Sequence, residues 1–420
     1  MKISETTNAP IQPRSPAMKA LLERGYVNQA TDLAGIDAAF ATGIVPAYIG
    51  FDATADSLHV GHLLPIMTLR RIQQAGHKPI VLIGGGTTRI GDPSFRSEVR
   101  PMLTEKQIAS NIEGIKKVFD RFLVFGDGPT DAVMVNNADW LDKVLWIDVL
   151  RDVGRHFSVN RMIAFDSVRS RLEKQENLSF LEFNYMILQA FDFLELSRRT
   201  GCRLQMGGSD QWGNIINGID LVRRTEGQEV FGMTAPLLTT SSGTKMGKTA
   251  AGAVWLNEDR LSPYDYWQFW RNTEDGDVIR FLKLFTDLPI DEIERLGQAQ
   301  GADLNAVKEQ LARHATTLAH GAGAATEAAA TARQAFGDNG TPEGLPTVSL
   351  GDGEKSLGVA ITDLLVRARF TSSKSEARRA ITGLGVRIDG EVVEDPALVV
   401  SAQALPVRLS LGRKRHAIVS

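Results

Sequence analysis

Two short clusters in this sequence carry groups suited to handling phosphate. His59-Val60-Gly61-His62 opens a helical stretch, directly after the loop Asp52-Ala53-Thr54-Ala55-Asp56-Ser57-Leu58. A helix N-terminus offers unpaired N–H groups and the positive end of its dipole, so anions are favoured there. Two imidazoles flank Gly61, where the backbone can come close to a ligand. The plainer alternative is a helix start with one capping and one packed histidine. The second cluster is Lys245-Met246-Gly247-Lys248-Thr249, within SSGTKMGKTAAG. Two ammonium groups and a hydroxyl on a loop of small residues can close over a polyphosphate and stabilise charge developing on it. The spacing is not that of a Walker loop, because Ser242 stands where its first glycine belongs. An exposed lysine turn is the ordinary alternative.

The elements that must hold these clusters follow from periodicity. Residues 47–51 (AYIGF) read as a short buried strand, Leu63–Gln74 has helical apolar spacing, and 79–86 (PIVLIGGG) is an apolar run ending in three glycines. That alternation predicts a parallel sheet with crossover helices, which binds ligands where loops leave the C-terminal ends of its strands. Leu204–Met206 predicts another strand, followed by Gly207 and Gly208. Residues 104–122, 140–153 and 177–200 read as helices. On the last, Tyr185, Gln189 and Asp192 fall at i, i+4 and i+7, so one face presents all three. Residues 263–318 alternate helical patterns with short breaks. An Ala-rich stretch and a Gly/Pro-rich linker follow, then two short helices and a strand–Asp-Gly–strand hairpin. Ser373 and Glu376 have capping-box spacing at the second of those helices.

Composition sets the class. The chain has 420 residues, 43% hydrophobic and 23% charged, with net charge −3. That describes a globular protein of two or three domains and excludes a strongly basic nucleic-acid binder. Charge is uneven: Ser356–Ser420 holds ten Lys/Arg against six Asp/Glu, a surplus of four that leaves −7 on the rest. A basic C-terminal module on an acidic body suits contact with a polyanion, or simply a solvated face. Cys202 is the single cysteine, so no intrachain disulfide forms. No apolar run reaches the roughly 18–20 residues that span a bilayer. The first residues have neither a signal core nor an Arg-rich amphipathic pattern, so a cytoplasmic location is expected.

The H-x-G-H and K-M-x-K-[ST] clusters, in that order, resemble the signatures of class I aminoacyl-tRNA synthetases. YIGFDATADSLHVGH (48–62), GGGTTRIGDPS (84–94), FNYMILQAFDF (183–193) and GCRLQMGGSDQWGN (201–214) narrow the likeness to the bacterial-type tyrosyl-tRNA synthetase family, from about residue 20 to the C-terminus. The resemblance implies an α/β protein: a lead at 1–30, a Rossmann-like catalytic domain at 31–258, a helical tRNA-contacting domain at 259–335, a linker at 336–355 and a small α+β RNA-binding domain at 356–420. It implies activation of L-tyrosine with ATP, carried with Mg2+, and transfer to tRNA(Tyr) by a homodimer paired through residues 120–190. No prosthetic group and no protein metal site are implied.

Residue roles follow from the same likeness. Tyr48 and Asp192 correspond to positions that bind the substrate's phenol hydroxyl. Asp92, Tyr185 and Gln189 correspond to positions around its ammonium, and Gln205 and Gln211 to further pocket positions. Gly50, Asp52, Gly207, Gly208 and Asp210 fall on the ATP side, with Asp210 at the ribose. Thr54, His59 and His62 would take phosphates, joined by Lys245, Lys248 and Thr249, and by Arg96 and Arg100 on a second loop. Arg367, Arg369, Lys374, Arg378 and Arg379 would lie near the RNA backbone. The sequence departs from the family pattern at Ile49, Ala53, Pro65, Gly86 and Arg96. Two rivals remain at this stage: a tryptophanyl-type synthetase, and a catalytically silent RNA-binding protein on the same scaffold.

Overall fold

The computed structural model describes residues 11–92, 103–243, 246–249, 252–336, 345–351, 353–354, 358–401, 404–412 and 415–420. The chain divides into two units. One comprises residues up to Lys245 together with Ile279–Gly297; the other comprises Met246–Val278 and Gln298–Ser420.

The first unit is built on a six-stranded sheet. Its strands are β1 (Gln29–Ala30), β2 (Pro46–Phe51), β3 (Lys78–Ile83), β4 (Val133–Asn136), β5 (Leu204–Gly208) and β6 (Phe231–Ala235), in the order β1-β6-β5-β2-β3-β4. All neighbours are parallel except β1, which runs antiparallel to β6. From Pro79 to Ile83 every residue of β3 is buried, as expected for a parallel strand covered on both faces. The order runs outward from β2 through β3 to β4 one way, and through β5 to β6 the other. The reversal between β2 and β5 opens a crevice at the C-terminal strand ends.

Helices α1 (Pro16–Arg24), α2 (Leu33–Thr42), α3 (Val60–Gln74), α4 (Glu105–Phe122), α5 (Ala138–Leu141), α6 (Trp146–Asp148), α7 (Val159–Ile163), α8 (Asp166–Glu173), α9 (Phe180–Thr200) and α10 (Trp212–Glu226) belong to this unit. Local sequence explains their ends. Ser179 and Glu182 form a reciprocal capping box at the start of α9, and Gly201, left-handed at φ 66°, stops it. Thr104 and Gln107 do the same at the start of α4.

Two expectations for this unit need correction. The N-terminal lead is shorter than residues 1–30, because α1 and β1 are built into the unit. Arg24 is buried and donates to the carbonyls of Lys283, Thr286 and Leu288, while Tyr26 donates to that of Leu284. Residues 140–153 are not one helix but α5, α6 and a π turn at Val149–Val153. Leu145 and Ile147 are 69% and 68% exposed, so no core surface orders a continuous apolar stripe there. Pro65 lies in the second turn of α3, past the first turn where proline costs nothing.

The second unit begins with a hairpin of β7 (Lys248–Thr249) and β8 (Gly252–Ala253). The helices Pro263–Arg271, Leu304–His320 and Ala322–Phe336 pack on one another. The helical region is therefore not the single block 259–335, since Ile279–Gly297 belongs to the first unit. After it come the helices Ile361–Arg367 and Lys374–Thr382 against a five-stranded sheet. Thr347–Val348, inside the expected linker, pairs in parallel with Arg415–Val419 as one edge of that sheet. Ile361, Leu364, Leu365, Ile381, Val386 and Leu409 form the fully buried centre of this module.

Candidate active site

The crevice gathers side chains from five segments of the first unit. β2 contributes Tyr48, fully buried and packed against Phe193 at 5.4 Å between ring centroids. Its phenol oxygen has no hydrogen-bond partner among the described residues. Leaving such a group unpaired costs free energy, so the position suits a ligand that supplies the partner. Burial, and then the charge of Asp192, hold the Tyr48 hydroxyl well above the usual phenol range, so it stays protonated.

Asp192, on α9, is 2% exposed. Its Oδ1 accepts the indole N–H of Trp140 at 2.8 Å and its Oδ2 accepts the amide of Asn137 at 2.9 Å. Burial pushes its carboxyl up to about 7, against the opposing pull of these two donors. Asn137 also donates to Thr87 Oγ1 at 3.0 Å and accepts the backbone N–H of Gly86 at 2.8 Å. The Thr87 hydroxyl donates to Asp52 Oδ1 at 2.9 Å, and Tyr185 donates to the same carboxylate at 3.2 Å. One network thus runs from Trp140 to Tyr185. Gly84 sits inside it: a Cβ there would stand 2.3 Å from Asp52 Oδ1, so the glycine lets the carboxylate close on the strand end.

A second set lies at the end of β5. Gln211 donates to Asp92 Oδ2 at 2.8 Å and to Asp210 Oδ2 at 3.2 Å, so one amide bridges two carboxylates. Asn214, at the start of α10, donates to Gln189 Oε1 at 2.9 Å and to Gln211 Oε1 at 3.2 Å. Gln205 is buried, and its Oε1 has no partner among the described residues. It lies against α10, where a Cβ at Gly218 would stand 2.8 Å from that oxygen. Gly50 is exposed, and a side chain added there would meet only Leu82 at 3.9 Å, so β2 presents bare backbone at that point.

His59 and His62 form a capping box at the start of α3. His59 Nδ1 accepts the N–H of Gly61 at 3.0 Å, and His62 Nδ1 accepts that of His59 at 3.2 Å. Their rings lie 4.1 Å apart. With both Nδ1 atoms accepting, each neutral ring carries its proton on Nε2, a donor of the kind phosphate oxygens accept. Thr54, in the loop before them, is exposed.

Not every expected residue can be placed. Arg96, Arg100 and Lys245 lie outside the described residues, and Lys248 and Thr249 are described only as the backbone of β7. In the C-terminal module, Arg367 pairs with Glu354 at 2.5 Å and Lys374 with Asp363 at 2.6 Å. Arg369 donates to the Arg260 carbonyl at 2.7 Å, and Arg378 and Arg379 are exposed. Conversely, Thr87, Asn137, Trp140 and Asn214 were not singled out from sequence. A signal for one of them existed: the apolar run Ala132–Val135 ends in Asn136-Asn137, as β3 and β5 run into glycines.

A parallel sheet with paired imidazoles at a helix start and a set of carboxylates at its switch point, Asp192 among them fully buried, defines a nucleotide-handling α/β enzyme. Residues 42–337 match the model for tRNA synthetases class I (W and Y), and residues 361–404 match the S4 domain. The chain therefore belongs to the class I tRNA synthetases of the tryptophan and tyrosine family. Its full-length relatives include the tyrosine–tRNA ligase of Dinoroseobacter shibae, 57% identical over 97% of this chain and 98% of that one. That of Rhodospirillum rubrum is 58% identical with the same coverage. Among solved structures, a C-terminally truncated mitochondrial tyrosyl-tRNA synthetase from Aspergillus nidulans superposes with a TM-score of 0.69. The match is at 32% identity and covers 76% of this chain and 94% of that one.

Proposed function

We infer that this chain is a tyrosine–tRNA ligase: it activates L-tyrosine with ATP and passes the tyrosyl group to tRNA(Tyr). The observation that carries the choice of amino acid is the buried, unpaired hydroxyl of Tyr48 beside the Asp192 carboxylate. A phenol hydroxyl can donate to Asp192 and accept from Tyr48; phenylalanine leaves both without that partner, and an indole N–H can only donate.

The substrate ammonium goes to Asp92, Tyr185 and Gln189, and Asp210 takes the ribose hydroxyls. Because Gln211 bridges Asp92 and Asp210, the amino-acid and nucleotide ends adjoin. A tyrosine carboxylate oxygen attacks the α-phosphorus of ATP, the bond to the β-phosphate oxygen breaks, and pyrophosphate leaves. No side chain acts as nucleophile, so the rate comes from positioning and charge stabilisation. Thr54, His59 and His62 donate to phosphate oxygens. Lys245, Lys248 and Thr249, with Arg96 and Arg100, supply the remaining phosphate contacts, and Mg2+ enters with ATP. A ribose hydroxyl at the tRNA 3′ end then attacks the tyrosyl carbonyl and AMP departs. The compartment implied is the cytoplasm.

Two measurements test the reading. ATP–pyrophosphate exchange, run with tyrosine, tryptophan and phenylalanine in parallel, should respond to tyrosine alone. Exchange with tryptophan instead would overturn the roles of Tyr48 and Asp192. A homodimer is supported by the apolar surface at Leu145, Trp146, Ile147 and Phe180, which are 55–69% exposed. Light scattering should give twice the chain mass, and Phe180→Asp should give monomers.

A further inference from the structure

Arg369 sits where an RNA-facing arginine was expected, but its guanidinium is engaged within the protein. It follows the helix Ile361–Arg367, and its backbone is left-handed at φ 58°. Side chains with a Cβ rarely adopt that conformation, which glycine adopts freely. The amides of Arg369 and Phe370 close the helix end, donating to Val366 and Leu365 at 3.0 and 2.9 Å, and neither bond needs a side chain. The side chain instead crosses 109 positions of sequence to donate to the Arg260 carbonyl at 2.7 Å. Arg260 stacks its own guanidinium over Trp255 at 5.0 Å and stands just before Ser262. Ser262 caps the helix Pro263–Arg271 and donates to Asp265 at 2.8 Å. The Asp265 carboxylate in turn lies within the electrostatic reach of Arg369. The acceptor and the countercharge for Arg369 therefore both lie outside the C-terminal module.

We propose that Arg369 is a positioning residue, a latch that holds the C-terminal module to the 255–265 segment and so fixes the orientation in which it meets tRNA. The proposal rests on the tRNA-ligase reading above. A module held in the competent orientation binds more tightly than the same module sampling several, because only the competent fraction counts. Arg378 and Arg379, exposed on the helix Lys374–Thr382, remain as the candidates for direct phosphate contact.

Salt dependence separates a latch from a phosphate-binding residue. Removing one cation that pairs with a phosphate flattens the plot of log affinity against log salt by about 0.7–0.9. Loosening the module's orientation lowers affinity while the number of neutralised phosphates stays the same. The test uses the full chain and tRNA(Tyr) transcript, with Kd measured at several salt concentrations and kcat and KM measured in aminoacylation. Arg369→Gly is the variant of choice, because glycine fits the left-handed backbone and the module keeps its fold. The expected result is a KM and Kd for tRNA raised about fivefold at every salt concentration, with kcat retained and the slope unchanged. Arg378→Ala is the reference and should flatten the slope. Arg369→Gly flattening the slope as Arg378→Ala does, or leaving tRNA affinity unaltered, would overturn the latch. A wild-type chain that charges no tRNA would overturn the ligase reading itself, before any substitution is made.

Discussion

Trp140 donates its indole N–H to Asp192 Oδ1 at 2.8 Å, joining a residue after β4 to the middle of α9. The donor matters because burial pushes the Asp192 carboxyl up to about 7, and hydrogen bonds to its ionised form oppose that rise. Tyrosine binding that uses the ionised form strengthens as pH rises through about 7, so the KM for tyrosine should climb towards acid pH. Trp140→Phe keeps bulk and removes the donor. The carboxyl then titrates higher still, and the KM at pH 7 rises about tenfold, a gap that narrows at higher pH. Pyrophosphate exchange across pH 6–9 measures both limbs. The stability term runs in the opposite sense. A carboxyl raised in the folded state binds more protons there than in the unfolded chain between about pH 4 and 7, so this group lowers stability as pH rises through that window.

Tyr48→Phe tests the unpaired phenol. Removing a buried hydroxyl that has no partner should leave stability unchanged or raise it by about 1 kcal/mol. The same change should weaken tyrosine binding roughly tenfold and barely affect phenylalanine. Thermal melts and exchange kinetics with both amino acids read the two effects separately. A large loss of stability would mean that the hydroxyl is already paired in the empty pocket.

His62→Ala addresses the phosphate reading of the histidine pair. The ring accepts the His59 N–H, so part of its loss is a cap worth about 1 kcal/mol of stability. An interaction made to the departing pyrophosphate should instead lower kcat about 100-fold while the KM for tyrosine stays put. A changed KM with normal kcat would place the ring in ground-state binding only.

Asp287 anchors the far side of the same unit. It accepts from Arg70 and Arg71 at 2.5 and 2.6 Å, and these guanidinium groups hold its carboxyl below the usual range in spite of partial burial. A lowered folded pKa gives stability that is present above the unfolded value and lost as pH falls through the folded one. Asp287→Ala leaves the buried Arg71 with one partner fewer. It should cost about 2 kcal/mol at pH 7, after discounting for the exposure of Asp287, and less below pH 3. Denaturant melts at both pH values check this.

Much of the site was legible because strand ends announce themselves. β2 and β3 are largely buried runs that stop at polar or glycine-rich loops, and the two histidines follow directly. β1 and β4 escaped notice, being only two and four residues long, with β4 half-buried throughout. Missing β4 hid Asn137 and Trp140, whose partner Asp192 lies more than fifty residues away. Their role depends on chain folding, not on local pattern. Arg369 shows the reverse case: the family likeness put it near RNA, while its left-handed backbone and its bond to the Arg260 carbonyl have no local signal in the sequence.

The two-residue strand β1 has a consequence for handling this protein. Gln29 and Ala30 pair with Thr234 and Met233, and the neighbouring amides of Asn28 and Thr31 donate to Thr234 and Gly232. This short ribbon covers what would otherwise be a bare outer strand of buried, apolar composition, a template for joining sheets between molecules. A chain cut to begin at residue 31, where the family likeness puts the domain boundary, should keep every residue of the crevice and yet precipitate on expression.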